Sequence, residues 1–496
     1  MLFIPFLQAQ KKGTGLIIDM PSLRGTPKKP TLTLKSYRGL PASVSLEKYC
    51  PTPGDQGDFG TCVAFASAYH MRTIMLAKQR EITSRSAIND LIFSPSFVYE
   101  SIKDEGDNDC QGGTNPILAL ELFKNLGAVS LKTVPYKCNP SLPVETLLEA
   151  IDYTISDYQI LFLPDDTEYD SRVLPVKKAL AEGNPVLLGI TVPESFYNSG
   201  KIWTPQATDG GPSGKHGGHA VCVVGYDDNF EGGCFRIVNS WGTGWADGGF
   251  YWVRYADFVK WSLVACQAWV APAAPPAVEP EPAPTPSPEP VPEPKPAPPA
   301  PLAVSLEGKV EFVQNTGAPM PAGRVLSRNL VVEEENDEKP YKEDLVAYRM
   351  DSDYPSGTKF RFFITTNTES YIYAFATDLA TRRVNKIFPF DDLTSPHIGP
   401  NSQVAFPSET KVVKMDSQPG TDYMLILYSK EKLDINDMLS KMNASPGGLS
   451  QKIHAAVGEK MILPSEIAYK ASEIGFDVRG EGHGSVVPLM VEISHK

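Results

Sequence analysis

The chain has 496 residues, 42% hydrophobic and 21% charged, which excludes wholesale disorder, collagen-like repetition and polytopic membrane proteins and leaves room for two or three domains. Its formal charge of 46 − 59 = −13 argues against nucleic acid or an anionic membrane surface as the main partner. No run of 18 apolar residues occurs, so no membrane span is expected.

The first residues, Met1 to Gln10, read as the end of a secretory signal: a short apolar run and a small-residue neighbourhood at Ala9, followed by Lys11 and Lys12. Residues 1–39 are therefore expected to be the remnant of a signal plus a short extension, and the protein extracytoplasmic, periplasmic or secreted. A first domain is expected over 40–271. Ala64 to Ala77 is apolar around most of a helical surface and reads as a buried helix, and Asn115–Asn125 reads as a second. From Pro185 the pattern turns to strands, in PVLLGITV, HAVCVVGYD, CFRIVNS, FYWVRY and LVACQAWV. Helices first and strands later make an α+β domain.

Between Pro272 and Pro301 lie 15 of the 45 prolines. Fixed φ and missing N–H donors exclude helix and ladder, so 272–302 reads as a polyproline II linker. Beyond it, 303–496 is rich in β-branched and aromatic runs, Lys359–Thr365, Tyr371–Asp378, Tyr423–Ser429 and Val486–Ile493, with helices at Ile435–Asn443 and Leu449–Val457. This predicts a β-rich, sandwich-like domain. The acidic run at Val332–Lys339 reads as a solvated loop or, alternatively, an acidic contact surface. His397 and His454 have no ligand-spaced neighbours.

The residues that carry chemistry begin at Gln56-Gly57-Asp58-Phe59-Gly60-Thr61-Cys62-Val63-Ala64. A cysteine entering a buried helix from a glycine-containing loop is placed for activation by the helix N-terminus. Downstream, Gly217-Gly218-His219-Ala220-Val221 puts a histidine at the start of a strand, and Asn239-Ser240-Trp241-Gly242 puts an amide beside an indole. Nucleophile, base, orienting group and shield are thus all present. His216 and His219 with Cys222 lack a fourth ligand and point away from a metal site.

Over about 40–270 these residues closely resemble the papain-like cysteine peptidases. Four motifs stand in family order: Gln56–Ala66, Cys110–Gly113 (CxGG), Gly217–Val221 and Asn239–Gly249. The resemblance implies a two-lobed peptidase fold, helical lobe first. It implies Cys62 as nucleophile, His219 as base and then acid, and Asn239 orienting the imidazole. Gln56 joins the Cys62 N–H in the oxyanion hole, and Trp241 covers the His219–Asn239 hydrogen bond. It further implies a resting thiolate–imidazolium pair, hydrolysis of peptide or protein substrates, endopeptidase action and no metal or organic cofactor. The alternative is a non-catalytic peptide-binding scaffold of the same fold. Substrate contacts carry over to Gly112, Gly113, Thr114, Asn115, Gly189, Gly217 and Trp241. Of these, Thr114, Asn115, Gly189 and Gly217 line the pocket for the second residue upstream of the cut. The two glycines leave it wide unless a neighbouring loop such as 205–215 fills it.

Departures from the pattern carry their own expectations. Phe59 stands where the family has a cysteine, so Cys110 loses its usual partner, as does Cys138; the two either pair with each other or remain free thiols. The residues before Leu40 are too few for a long helical propeptide, so latency works differently or is absent. The stretch from Tyr371 through Ile387-Phe388-Pro389 to Gly420-Thr421-Asp422 resembles a bacterial accessory domain of unknown function, which implies a β-rich fold and no chemistry; 303–496 is expected to be a tethered binding module with an unknown partner.

Overall fold

A computed structural model describes residues 12–270, 303–325, 345–377, 383–481 and 484–496. The signal-like first ten residues, the Pro-rich 272–302 and the acidic run at Val332–Lys339 lie outside the described residues. The chain packs as two compact units. Residues 12–28 belong with 40–270, whereas 29–39 belong with the C-terminal part.

In the first unit three consecutive helical segments, Cys62–Ala64, Phe65–Arg72 and Thr73–Gln79, follow one another without a break. The middle one has π-type hydrogen bonding. Cys62 to Ala77 is buried almost throughout, as an all-round apolar helix requires. Ser94 caps Pro95–Ile102 by accepting from the Phe97 N–H, and Asn115 caps Pro116–Asn125 by accepting from the Ile117 N–H. The strands are β1 (Ser43–Ser45), β2 (Asp157–Phe162), β3 (Val186–Val192), β4 (Ile202–Trp203), β5 (Gly217–Asp227), β6 (Cys234–Val238), β7 (Phe250–Arg254) and β8 (Ser262–Trp269). They form one sheet in the order β2-β8-β3-β5-β6-β7-β4, with β1 against β5. Apart from the isolated Lys28–Ile160 bridge and the parallel pairing of β4 with β7, the ladders are antiparallel. The register places Cys222 of β5 opposite Val238 of β6. His219, three residues before Cys222, and Asn239, one after Val238, therefore emerge at the same end of neighbouring strands.

The second unit has two sheets. One runs Ala322–Arg324, Val346–Met350, Val486–His495, Gly420–Ser429, Ser370–Thr377 and Val384–Phe388. The other runs Ser402–Phe406, Lys359–Thr366, Ala303–Gln314, Gly475–Glu481 and Ala468–Tyr469. Phe312, Phe362 and Ile364 from one sheet share a core with Ile372, Ile426, Leu489 and Val491 from the other, the face-to-face packing of a sandwich. Helices Ile435–Ala444 and Leu449–Val457 lie where the apolar spacing put them. Leu32, distant in sequence, belongs to this core, and Thr33 N–H donates to the Gln403 carbonyl at 2.9 Å.

Candidate active site

Cys62 opens its helix and is fully buried. The hydroxyl of Thr61, at the N-cap position, does not cap the helix; it bonds Tyr136 at 2.8 Å. The first-turn N–H groups, which have no intrahelical partner, are left to the sulfur: the backbone N–H groups of Cys62 and Val63 act on the thiol, together with that of Ala220, next to His219.

His219 Nε2 and Asn239 Oδ1 are 2.7 Å apart, and the same Oδ1 accepts from the Ser240 N–H at 2.8 Å. Asn239 Oδ1 is therefore an acceptor, Nε2 carries the proton, and the lone pair of His219 is on Nδ1. That Nδ1 is buried and has no hydrogen-bond partner. Trp241 lies over the imidazole with ring centroids 4.9 Å apart, and Phe196 meets Trp241 edge-on at 5.3 Å.

Gln56 is buried, with its N–H on the Ser240 carbonyl at 2.9 Å. Its Oε1 accepts from the Ser240 hydroxyl at 2.5 Å, and its Nε2 donates to the Phe59 carbonyl at 2.8 Å. One hydrogen of Nε2 remains for a further acceptor.

The cleft is filled by the chain's own N-terminal segment. Gly13 N–H donates to the Gly57 carbonyl at 2.9 Å, and Trp241 Nε1–H donates to the Gly13 carbonyl at 3.1 Å. Gly15 and Leu16 N–H groups both reach the Gly218 carbonyl at 3.1 Å. Thr114 N–H donates to Gly15 at 2.8 Å, and Ile17 N–H donates to Thr114 at 3.0 Å. Lys12 meets Asp55 at 2.7 Å. The fit excludes side chains: a Cβ on Gly15 would lie 2.2 Å from the Gly60 carbonyl oxygen, and one on Gly113, where φ is +82°, 2.3 Å from that of Gly15. Residues 13–17 thus lie along the cleft as a short strap held by backbone hydrogen bonds.

The carried-over contact residues divide. Gly113, Thr114, Gly189 and Gly217 all face the strap: a Cβ on Gly189 would meet Leu16 Cδ2 at 2.8 Å, and one on Gly217 would meet Thr14 Oγ1 at 3.1 Å. What fills the expected wide pocket is Leu16 and not the 205–215 loop. Gly112 packs toward Asp107, and Asn115 Oδ1 accepts from the Ile117 N–H as a helix cap. Trp241 also borders an open cavity of about 940 Å³ beyond Lys12, with Asp55, Glu194, Tyr197 and Trp245. Among the described residues no group of three or more His, Cys, Asp or Glu is arranged to hold a metal ion.

Burial also sets the protonation state. It pushes the Cys62 thiol up to about 12 and, against the favourable Asn239 bond, the His219 imidazole down to about 4. With the strap seated, burial disfavours both charged forms, the Cys62 thiolate and the His219 imidazolium, because a closed cleft removes the water that a charged pair needs. Cys110 and Cys138 form a disulfide, Cα to Cα 5.9 Å. Sequence reasoning did not reach the strap, Ser240 or Tyr136; the only hint of the strap was Gly13-x-Gly15 inside an otherwise patternless segment.

Residues 41–267 match the sequence model of the papain family cysteine proteases, and 353–432 match a domain of unknown function. An uncharacterized peptidase C1-like protein of Acanthamoeba polyphaga mimivirus is 26% identical over 221 residues, 44% of this chain and 68% of that one. A cathepsin B-like protein of Giardia intestinalis is 31% identical over 206 residues, 40% of this chain and 63% of that one. Among solved structures, xylellain, a cysteine protease from Xylella fastidiosa, is 24% identical with a TM-score of 0.42, covering 53% of this chain and 97% of that one. Over residues 41–267 the chain is thus similar to the papain family of cysteine proteases.

Proposed function

We propose that the protein is a cysteine-type endopeptidase, kept latent by residues 12–18, that hydrolyses peptide or protein substrates outside the cytoplasm. The observation that carries this reading is the tautomer: Asn239 and Ser240 place the proton on His219 Nε2 and leave the Nδ1 lone pair without a partner, one residue before Ala220, whose N–H acts on the Cys62 thiol. When the strap leaves, water reaches the pair, and the thiol proton passes to Nδ1. The thiolate attacks the substrate carbonyl carbon while the Cys62 N–H and the remaining Gln56 Nε2–H hold the oxyanion. His219 returns its proton to the leaving amine, which departs as the thioester forms, and then takes one from water as hydroxide attacks the thioester. The steps use protein groups and water alone.

The space that Leu16 occupies, between Gly189, Gly218 and Val264, takes the second residue upstream of the cut, with room for a leucine-sized side chain. An extracytoplasmic setting is supported by the Cys110–Cys138 disulfide and by the apolar first residues. The Pro-rich segment supports reading the β-rich unit as a tethered binding module.

Hydrolysis of a denatured protein substrate tests the reading. Cys62→Ser and His219→Ala should abolish cleavage, and Gln56→Ala should lower kcat by about 10²–10³. Unchanged turnover in Cys62→Ser would remove the mechanism.

A further inference from the structure

The loop from Gln56 to Cys62 must hold two groups in register, the oxyanion donor at one end and the nucleophile at the other. Yet it contains Gly57, at φ +62°, and Gly60, and glycines leave a loop the most freedom to lose. Phe59 provides no covalent tie. One side chain touches both ends. The Tyr136 hydroxyl donates to the Gln56 carbonyl at 2.8 Å and accepts from the Thr61 hydroxyl at 2.8 Å. Its ring stands edge-on to Phe65 at 4.8 Å and to Phe59 at 6.2 Å.

The segment that presents Tyr136 is itself pinned on both sides. Ser94 Oγ donates to the Val134 carbonyl at 2.6 Å, and Ser96 Oγ both donates to the Lys137 carbonyl and accepts its N–H at 2.8 Å. Two residues further on, Cys138 is bonded to Cys110, whose carbonyl accepts the Gly60 N–H at 2.7 Å. The disulfide thus joins the two strips of chain that grip the Gln56–Cys62 loop. Burial raises the Tyr136 hydroxyl to about 12, so it stays a neutral donor throughout the working range of a thiol enzyme.

We propose that Tyr136 is a positioning residue of the oxyanion hole, its hydroxyl clamping Gln56 and Thr61 so that the side-chain donor of Gln56 and the N–H of Cys62 address one oxyanion. The proposal rests on the peptidase reading above. Tyr136→Phe removes the hydroxyl and keeps the ring among Phe59 and Phe65. In the full chain carrying Gly15→Val to unseat the strap, it should lower kcat on the order of tenfold, as loss of one hydrogen bond allows. KM and the rate of Cys62 alkylation by iodoacetamide, which forms no oxyanion, should stay within about twofold. On a Gln56→Ala background the same change should have little further effect on kcat, because the donor it positions is gone.

Unchanged kcat, a full additional loss on Gln56→Ala, or alkylation falling in step with hydrolysis would each overturn the proposal. Should the Gly15→Val chain hydrolyse nothing, the peptidase reading fails by itself. Hydrogen exchange at residues 56–61 then still decides: faster exchange in Tyr136→Phe supports the clamp, and identical exchange refutes it.

Discussion

His70 lies in the middle of the Cys62 helix, fully buried, with neither ring nitrogen hydrogen-bonded. Burial holds its imidazole down to about 3, and the same cause holds His219 down to about 4. An unfolded histidine takes its proton near 6.5, so below that pH the unfolded chain binds protons that the folded chain refuses, and stability must fall as pH falls. The slope expected is about 1.4 kcal/mol per pH unit for each histidine, down to the folded value of that group. All six tryptophans, Trp203 to Trp269, lie in the peptidase unit, so urea unfolding followed by indole fluorescence reports this unit alone. His70→Leu should flatten the slope between pH 6 and pH 4 by about half; an unchanged slope would mean that another group titrates. At this scale the sequence was most informative. Gln56, Cys62, His219 and Asn239 were legible because each sits in a motif whose spacing is tied to one strand or helix end. Tyr136 and Ser240 were not legible, since a lone hydroxyl shows its partner only after folding.

Among the elements, the long buried helix and the five later strands were readable from periodicity. The strand Asp157–Phe162 and the helix Tyr169–Ala181 were not. The strand is buried at every position and shows no alternation, while Pro175 inside the helix reads as a breaker. The strap was the least legible element: residues 12–18 make no regular structure alone and gain theirs from the cleft they fill. Its dependence on Gly189 gives a prediction with two opposite signs. Gly189→Val places carbon where Leu16 sits, so Cys62 should be labelled faster by a thiol-reactive epoxide while cleavage after leucine-bearing upstream residues slows. Movement of both in the same direction would mean that strap and substrate do not share the pocket. Asn115→Ala should instead cost about 1 kcal/mol of stability through the lost helix cap and leave the cleavage preference unchanged, as seen by profiling a mixed peptide library.

At the scale of the whole molecule the sequence suggested a simple succession, N-terminal segment, peptidase, linker and accessory domain, whereas the N-terminal segment serves both units. Residues 12–28 complete the peptidase unit and 29–39 complete the β-rich one. Leu32 is 3% exposed in the core of the latter, beside Val404. Hydrophobic patterning reports that Leu32 is buried but not against what, because its partner is more than 350 residues away. Leu32→Ala should destabilise the β-rich unit by about 2–3 kcal/mol. In calorimetry the transition invisible to indole fluorescence should move down while the tryptophan-reported one stays; a shift in the latter alone would contradict the assignment of residues 29–39.

The most direct test of the closed cysteine site compares Cys62 labelling by a thiol-reactive epoxide in the full chain with Gly15→Val and Cys62→Ala. A Cβ at position 15 cannot coexist with the Gly60 carbonyl. Gly15→Val should therefore be labelled at Cys62 at least about tenfold faster than the unaltered chain, which corresponds to roughly 1.4 kcal/mol of strap binding, and Cys62→Ala should not be labelled there at all. Equal labelling of the unaltered and Gly15→Val chains, or labelling that persists in Cys62→Ala at another cysteine, would contradict a nucleophile at Cys62 guarded by residues 12–18.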